Sequence, residues 1–113
     1  MNLNEKTVGP TFSERVLKLA LSIPKGRVTT YGRIARAAGS GGMASQSITG
    51  ILGKAWDEGS KNIPFHRIVY ADGKVWVNGQ YKKERMELYK KEKIEIDEKG
   101  KIKNFHSILW EFE

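Results

Sequence analysis

Thr29-Thr30-Tyr31-Gly32-Arg33-Ile34-Ala35-Arg36-Ala37-Ala38-Gly39 is the stretch on which the fold turns. Thr29 and Thr30 carry hydroxyls that can cap a helix, because an N-cap oxygen accepts from a backbone N–H that the first turn leaves unpaired. From Tyr31 to Ala38 the residues Ile34, Ala35 and Ala38 share a small apolar face, and Gly39 suits the left-handed position at which helices commonly stop. Ser40-Gly41-Gly42 then makes a tight turn into a longer helix, about Ala44 to Trp56. There Ile48, Ile51, Leu52 and Ala55 recur at core spacing, with small residues on the other side. Two short helices across a glycine-containing turn read as a helix-turn-helix.

Working outward, residues 1–10 are polar and unpatterned and are expected to form a flexible leader. Thr11 and Glu14 have the spacing of a capping box that opens a helix running to about Ile23, with Phe12, Val16, Leu19, Ala20 and Ile23 as a core stripe. Pro24-Lys25-Gly26 ends it. Past an irregular loop, Asp57 to Asn62, the runs Ile68-Val69-Tyr70 and Val75-Trp76-Val77 flank the turn signal Asp72-Gly73 and predict a β-hairpin wing. Asn78-Gly79 is a second turn. Lys82 to about Lys93 reads as a charged helix with Met86 and Tyr89 inward, and a tail follows with a turn at Glu98-Lys99-Gly100 and an apolar end, Ile108-Leu109-Trp110. The expected architecture is mainly α with a small β-hairpin, a winged helix-turn-helix over residues 11–93 with a C-terminal extension, 94–113, packed on the same domain.

Composition narrows the partners. The chain has 113 residues, enough for one modest core, and a net charge of +7 from 20 Lys and Arg against 13 Asp and Glu. That balance favours a polyanion such as nucleic acid, although a well-solvated basic surface would give the same total. There is no cysteine, so disulfides and thiolate chemistry are excluded, and two histidines, His66 and His106, make a structural zinc site improbable. No metal or other cofactor is expected. No apolar run approaches the roughly 20 residues needed to span a bilayer, and no signal-peptide pattern opens the chain, so no membrane partner is expected. The expectation is a cytoplasmic protein, nucleoid-associated when bound to DNA, or nuclear in a eukaryote.

Three ordered matches carry a resemblance. Ile23-Pro24-x-Gly26-x-Val28-x-Thr30-Tyr31-Gly32-x-Ile34-Ala35 is the first; Pro64, His66, Arg67, Ile68 and Val69 within Ile63-Pro64-Phe65-His66-Arg67-Ile68-Val69 are the second; Arg85, Leu88 and Glu92 are the third. Together they resemble the C-terminal domain of the O6-alkylguanine-DNA alkyltransferases over about Phe12 to Glu92. Phe65 stands where that family has its nucleophilic cysteine, and a benzyl ring cannot accept an alkyl group as a thiolate does. The family has a non-enzymatic branch, the alkyltransferase-like proteins, in which the cysteine is replaced. Phe65 and the aromatic-ended tail, Gly100 to Trp110, look like that branch.

The resemblance implies roles for particular residues. Tyr31, next to Thr30, would press on the phosphate beside a lesion and help rotate the nucleotide out of the stack; the alternative is a half-buried aromatic at a helix start. The helix carrying Ala44, Ser45, Gln46, Ser47, Thr49 and Gly50 would enter the minor groove, which small side chains permit, unless those residues serve only close helix packing. Gln46 falls where the family inserts an arginine finger. Pro64, Phe65, His66, Arg67, Trp76, Val77 and Asn78 would surround the extruded base, with Trp76 equally readable as wing core. His66 and Glu92 match the family's relay to the cysteine and, without a nucleophile, read as structural support. Arg67 reads as scaffold held by charge-assisted bonds. Lys25, Arg27, Arg33, Arg36, Lys54 and Lys74 are candidate phosphate contacts or ordinary surface charges.

These implications amount to a monomer that binds O6-alkylguanine in duplex DNA, flips it into a cysteine-free pocket without alkyl transfer, and flags it to nucleotide excision repair proteins. A winged-helix regulator without lesion preference would explain the charge and the helix-turn-helix but not Pro64-Phe65-His66-Arg67. A hydrolase using His66 with Glu92 or Asp57 ranks last, since neither nucleophile nor metal accompanies them.

Overall fold

The computed structural model describes residues 11–39, 45–76 and 79–112. The expected leader, the glycine-rich turn with Ala44, and Val77 and Asn78 lie outside those residues. Helix α1, Phe12–Leu21, opens with the capping box read from the sequence: the Glu14 N–H donates to Thr11 Oγ1 at 3.1 Å and the Thr11 N–H to Glu14 Oε1 at 2.8 Å. It stops before Ile23. Pro24 disfavours helical backbone in the residue that precedes it, and Ser22 closes the helix by donating to the Leu19 carbonyl.

Strand β1, Thr29–Thr30, runs directly into helix α2, Tyr31–Ala37. Thr30 is the N-cap, its hydroxyl accepting from the Arg33 N–H at 3.2 Å. Helix α3, Ser45–Asp57, buries Ile48 and Leu52 against Val16 and Ala20 of α1 and Ile34 and Ala35 of α2. Every one of those side chains is at most 1% exposed, so the helix-turn-helix and α1 share one apolar centre. Burial on this scale, about 25 cal/mol per Å² of apolar surface, is what holds short helices that would be marginal alone.

The wing differs from the hairpin predicted. Strand β2, Ile68–Val69, pairs in parallel with β1, in the register Thr29 with Ile68 and Thr30 with Val69. Beyond it the chain makes a turn, the Tyr70 N–H donating to the Lys74 carbonyl and the Gly73 N–H to the Tyr70 carbonyl. Instead of returning along β2, it pairs with the C-terminal extension: Lys74 bridges Lys101 in antiparallel fashion, Val75 N–H donates to Gly100 O, and Ile102 N–H donates to Gly73 O. The reason is burial on both faces. Ile68 joins the first core and Val69 a second one with Val28, Val75, Tyr89, Ile94 and Ile102, because successive strand residues point to opposite sides. A strand covered twice takes its partner from within the core, and β1 is there.

A short 3-10 turn, Gly79–Tyr81, leads into α4, Lys82–Lys91, whose Tyr89 is 1% exposed. The extension continues through α5, Phe105–Ile108. It then lies beside the approach to β1: the Val28 N–H donates to the Ile108 carbonyl and the Trp110 N–H to the Val28 carbonyl. Arg27 fastens this contact from the side, donating from Nε to Ile108 O and from Nη2 to Leu109 O, with its guanidinium 5.4 Å from the Trp110 ring centre.

Candidate functional site

Glu92, the residue that ends α4, is bound by three residues from two separate segments. Its carboxylate accepts from the Gly26 N–H at 2.9 Å, from Arg67 Nη2 at 2.6 Å and Nε at 3.1 Å, and faces His66 Nε2 at 2.8 Å. Its side chain is 7% exposed. Burial works against the charge, but the Arg67 bonds, the Gly26 N–H and His66 outweigh it and hold the carboxyl at about 2. Burial lowers the His66 pKa, with Glu92 only partly offsetting it, so the ring is neutral at pH 7. An ionised carboxylate can only accept, which puts the His66 proton on Nε2 and leaves Nδ1 as the acceptor. Tyr89 backs the imidazole edge-on at 5.9 Å. Arg67 also donates to the Ile23 carbonyl at 2.8 Å, tying the end of the first helical segment to the same centre.

Above this centre opens a cavity of about 620 Å³. The 3-10 turn Phe65–Arg67 aims Phe65 and His66 at it, while Pro64 is buried and neither Pro64 nor Arg67 forms part of its wall. Phe65 is half-buried with its ring 5.6 Å from that of Trp56. Tyr31, Tyr70, Trp76 and Tyr81 complete an aromatic lining. Trp76 is 40% exposed and belongs to this wall, not to a wing core. Arg85 holds it from α4, donating to its carbonyl at 3.1 Å with the guanidinium 5.5 Å from the ring centre. Such a chamber suits a planar, partly apolar ligand, since every aromatic face can stack.

Next to the cavity lies a groove of about 380 Å³ between the start of α2 and α3. Thr30, Tyr31, Gln46 and Thr49 line it together with Arg36, so four of the seven sequence-predicted DNA contacts share one surface. Ser47 is exposed on α3 outside both depressions, and Ser45 opens that helix. Tyr31 borders groove and cavity alike. Burial raises its phenol pKa and the nearby Tyr70 adds to this, while Arg85 and a hydrogen bond with Thr49 oppose it; the hydroxyl stays protonated at neutral pH and can donate. Of the candidate phosphate contacts, Arg27 is engaged with the extension as described, and Arg33 pairs with Glu111.

Motif reading quoted Arg85 and Leu88 and set the loop from Tyr70 to Gln80 beside the pocket, but it gave Trp56, Tyr70, Tyr81 and Glu84 no role of their own in this site. Tyr81, Glu84, Arg85 and Leu88 reach it from the start of α4. Their spacing of i, i+3, i+4 and i+7 is the signature of a single helix face, and that signal was available. Among the described residues no group of three His, Asp or Glu side chains gathers that could hold a metal ion.

Comparison with known proteins agrees with this geometry. A family model described as the DNA-binding domain of 6-O-methylguanine DNA methyltransferase matches residues 11–94. A DNA base-flipping protein of Escherichia coli K12 is 41% identical over 69 residues, which are 61% of this chain and 51% of that protein. The chain thus spans about half the length of that relative. A DNA base-flipping protein of Vibrio parahaemolyticus is 36% identical over 82 residues, covering 67% of this chain and 76% of its own length. Among solved structures, S. pombe Atl1 in complex with damaged DNA containing O6-carboxymethylguanine superposes with a TM-score of 0.70 at 21% identity, over 99% of this chain and 100% of that one, a likeness of fold. Mycobacterium tuberculosis OGT gives a TM-score of 0.57 at 31% identity over 75% of this chain and 50% of the other. With its residues 11–94 matched and the helix-turn-helix, Pro64-Phe65-His66-Arg67 turn and Glu92 in place, the chain belongs to the 6-O-methylguanine DNA methyltransferase DNA-binding domain family.

Proposed function

We propose that this protein binds O6-alkylguanine in duplex DNA through the minor groove, rotates the damaged nucleotide into the 620 Å³ cavity, and holds it there without alkyl transfer. The observation that carries the reading is Phe65. It lies in the cavity wall, in the motif position that resembles the family's nucleophilic cysteine, in a chain with no cysteine anywhere. A hydrocarbon ring there contacts an alkyl adduct and excludes water, and no soft nucleophile exists to end the complex by reaction. His66 and Glu92 then serve as architecture.

The same site explains how a lesion would be chosen. Extruding a nucleotide costs a few kcal/mol, less when its pairing is already damaged. Tyr31 and Gln46 stand on the groove side of the entrance, where the first meets the phosphate and the second enters the space the base leaves. The bound complex, a monomer on distorted DNA, acts as a flag for nucleotide excision repair proteins. The relatives' names and the damaged DNA bound by S. pombe Atl1 support the base-flipping part.

The test compares labelled duplexes that differ only by O6-methylguanine in place of guanine, followed by intact mass measurement of the protein. Binding tighter by about tenfold or more for the lesion, with protein mass and DNA unchanged, is expected. Equal affinities would leave a winged-helix binder without lesion preference, and a covalently heavier protein or restored guanine would make it an enzyme.

A further inference from the structure

The parallel register of the small sheet has an effect on the entrance to the cavity. Thr30 lies opposite Val69, so the residues that leave the two strands, Tyr31 and Tyr70, emerge side by side. Their ring centres are 5.7 Å apart with the planes tilted by 44°. Both rings border the groove that holds Gln46, and both border the cavity that holds Phe65. Ile68 and Val69 are 2% and 0% exposed, whereas Tyr70, the next residue, is 44% exposed. Its backbone is fixed nonetheless, the N–H donating to the Lys74 carbonyl at 3.0 Å and the carbonyl accepting from the Gly73 N–H at 2.9 Å. A large aromatic held rigidly and left half in water offers an uncovered face.

We propose that Tyr70 is a second aromatic contact for the extruded nucleotide, forming with Tyr31 a two-sided doorway through which the base passes and against which it stacks. The assignment rests on the lesion-binding function proposed above and adds a residue outside the quoted motifs. Every base has a π face, so a tyrosine platform tolerates any purine adduct. Base–aromatic stacking contributes roughly five- to a hundredfold in affinity. Because an unflipped base never reaches the doorway, that contribution belongs to damaged duplex alone.

Substitution separates the ring from the hydroxyl. Tyr70→Ala and Tyr70→Phe are measured beside the wild-type chain on lesion-containing and undamaged duplexes, with melting curves to confirm that both fold. Tyr70→Ala is expected to weaken lesion binding about tenfold while changing undamaged binding less than about twofold, and Tyr70→Phe to stay within about twofold on both. Unchanged lesion binding in Tyr70→Ala overturns the assignment, as does an equal loss in Tyr70→Phe, which would put the effect in the hydroxyl. Should the wild-type chain itself fail to discriminate, the function proposed above falls first, and that outcome is read from a different pair of curves. Should Tyr70→Ala fail to fold, Tyr70→Phe and Tyr70→Trp decide: both must keep lesion discrimination, since both keep an aromatic face.

Discussion

Replacing Glu92 with glutamine removes one negative charge from a centre in which Gly26, His66 and Arg67 all donate to it. Its carboxyl is displaced from an ordinary 4.5 to about 2. Each factor of ten in acidity corresponds to about 1.4 kcal/mol, so the folded state gains on the order of 3 kcal/mol from ionised Glu92. The side chain is 7% exposed, so solvent screening takes little away. An independent route leads to the same size, since breaking a buried ion pair and stranding Arg67 costs about 3–5 kcal/mol. For a domain near this length, 3 kcal/mol corresponds to a fall in Tm of roughly 10–20 °C at pH 7. The pH dependence carries the sign. Glu92 has a depressed folded pKa, so its contribution is complete above its unfolded value of 4.5 and fades as pH falls towards 2. His66, whose folded pKa is also depressed, contributes above its unfolded 6.5 and loses that below it. Wild type should therefore lose stability in two stages on acidification, first through His66 and then through Glu92. The gap between wild type and Glu92→Gln should narrow below about pH 4.5. Near-UV circular dichroism melts from pH 8 to pH 3 test this. A Tm change under about 3 °C at pH 7, or a gap that does not narrow below about pH 4.5, would refute the reasoning.

Gly73→Ala should cost about 2–4 kcal/mol, because Gly73 sits at a φ of +86° and an added Cβ would lie 3.0 Å from Phe105 Cγ; urea denaturation showing less than about 0.5 kcal/mol would mean that the extension does not press on this turn. DNA affinity should fall with salt at a slope of roughly −4 in log–log form, at about −0.9 per phosphate contact. The four contributors are Lys25, Arg36, Lys54 and Lys74, because Arg27 and Arg33 are taken up by the extension; a slope steeper than about −5.5 would show those two reaching phosphate as well.

Much of the helical frame was legible because local chemistry and packing agree there. Thr11 with Glu14 and Thr30 are caps that act within one turn, and the stripes of α1 to α3 bury the residues their periodicity indicates. The sheet was not legible, since two-residue strands carry too little alternation to choose a partner. Asp72-Gly73 is a true turn, yet the chain after it pairs with Gly100 and Lys101 through an isolated bridge, a choice made by the extension's packing and not by the turn. At the site, the motif residues Tyr31, Phe65 and His66 border one cavity, because β1 and β2 lie in register just before the first and just after the others. The α4 wall was legible only in part: Arg85 and Leu88 stood in the third motif match, but the surrounding charge gave no cue that Tyr81 and Glu84 border the cavity or that Arg85 lies on Trp76. Net charge likewise counted Arg27 and Arg33 as surface cations, which only the fold could withdraw.

The carboxylate at the end of α4 fastens the turn at Gly26, the Phe65–Arg67 segment and its own helix in a single knot. Groups that would prime a thiol are thus also rivets of the frame. Phe65 faces the chamber and takes no part in the knot, whereas Arg67 faces the knot and His66 borders both. The side chain at position 65 can therefore differ without loosening the knot, whose members hold one another in place mechanically.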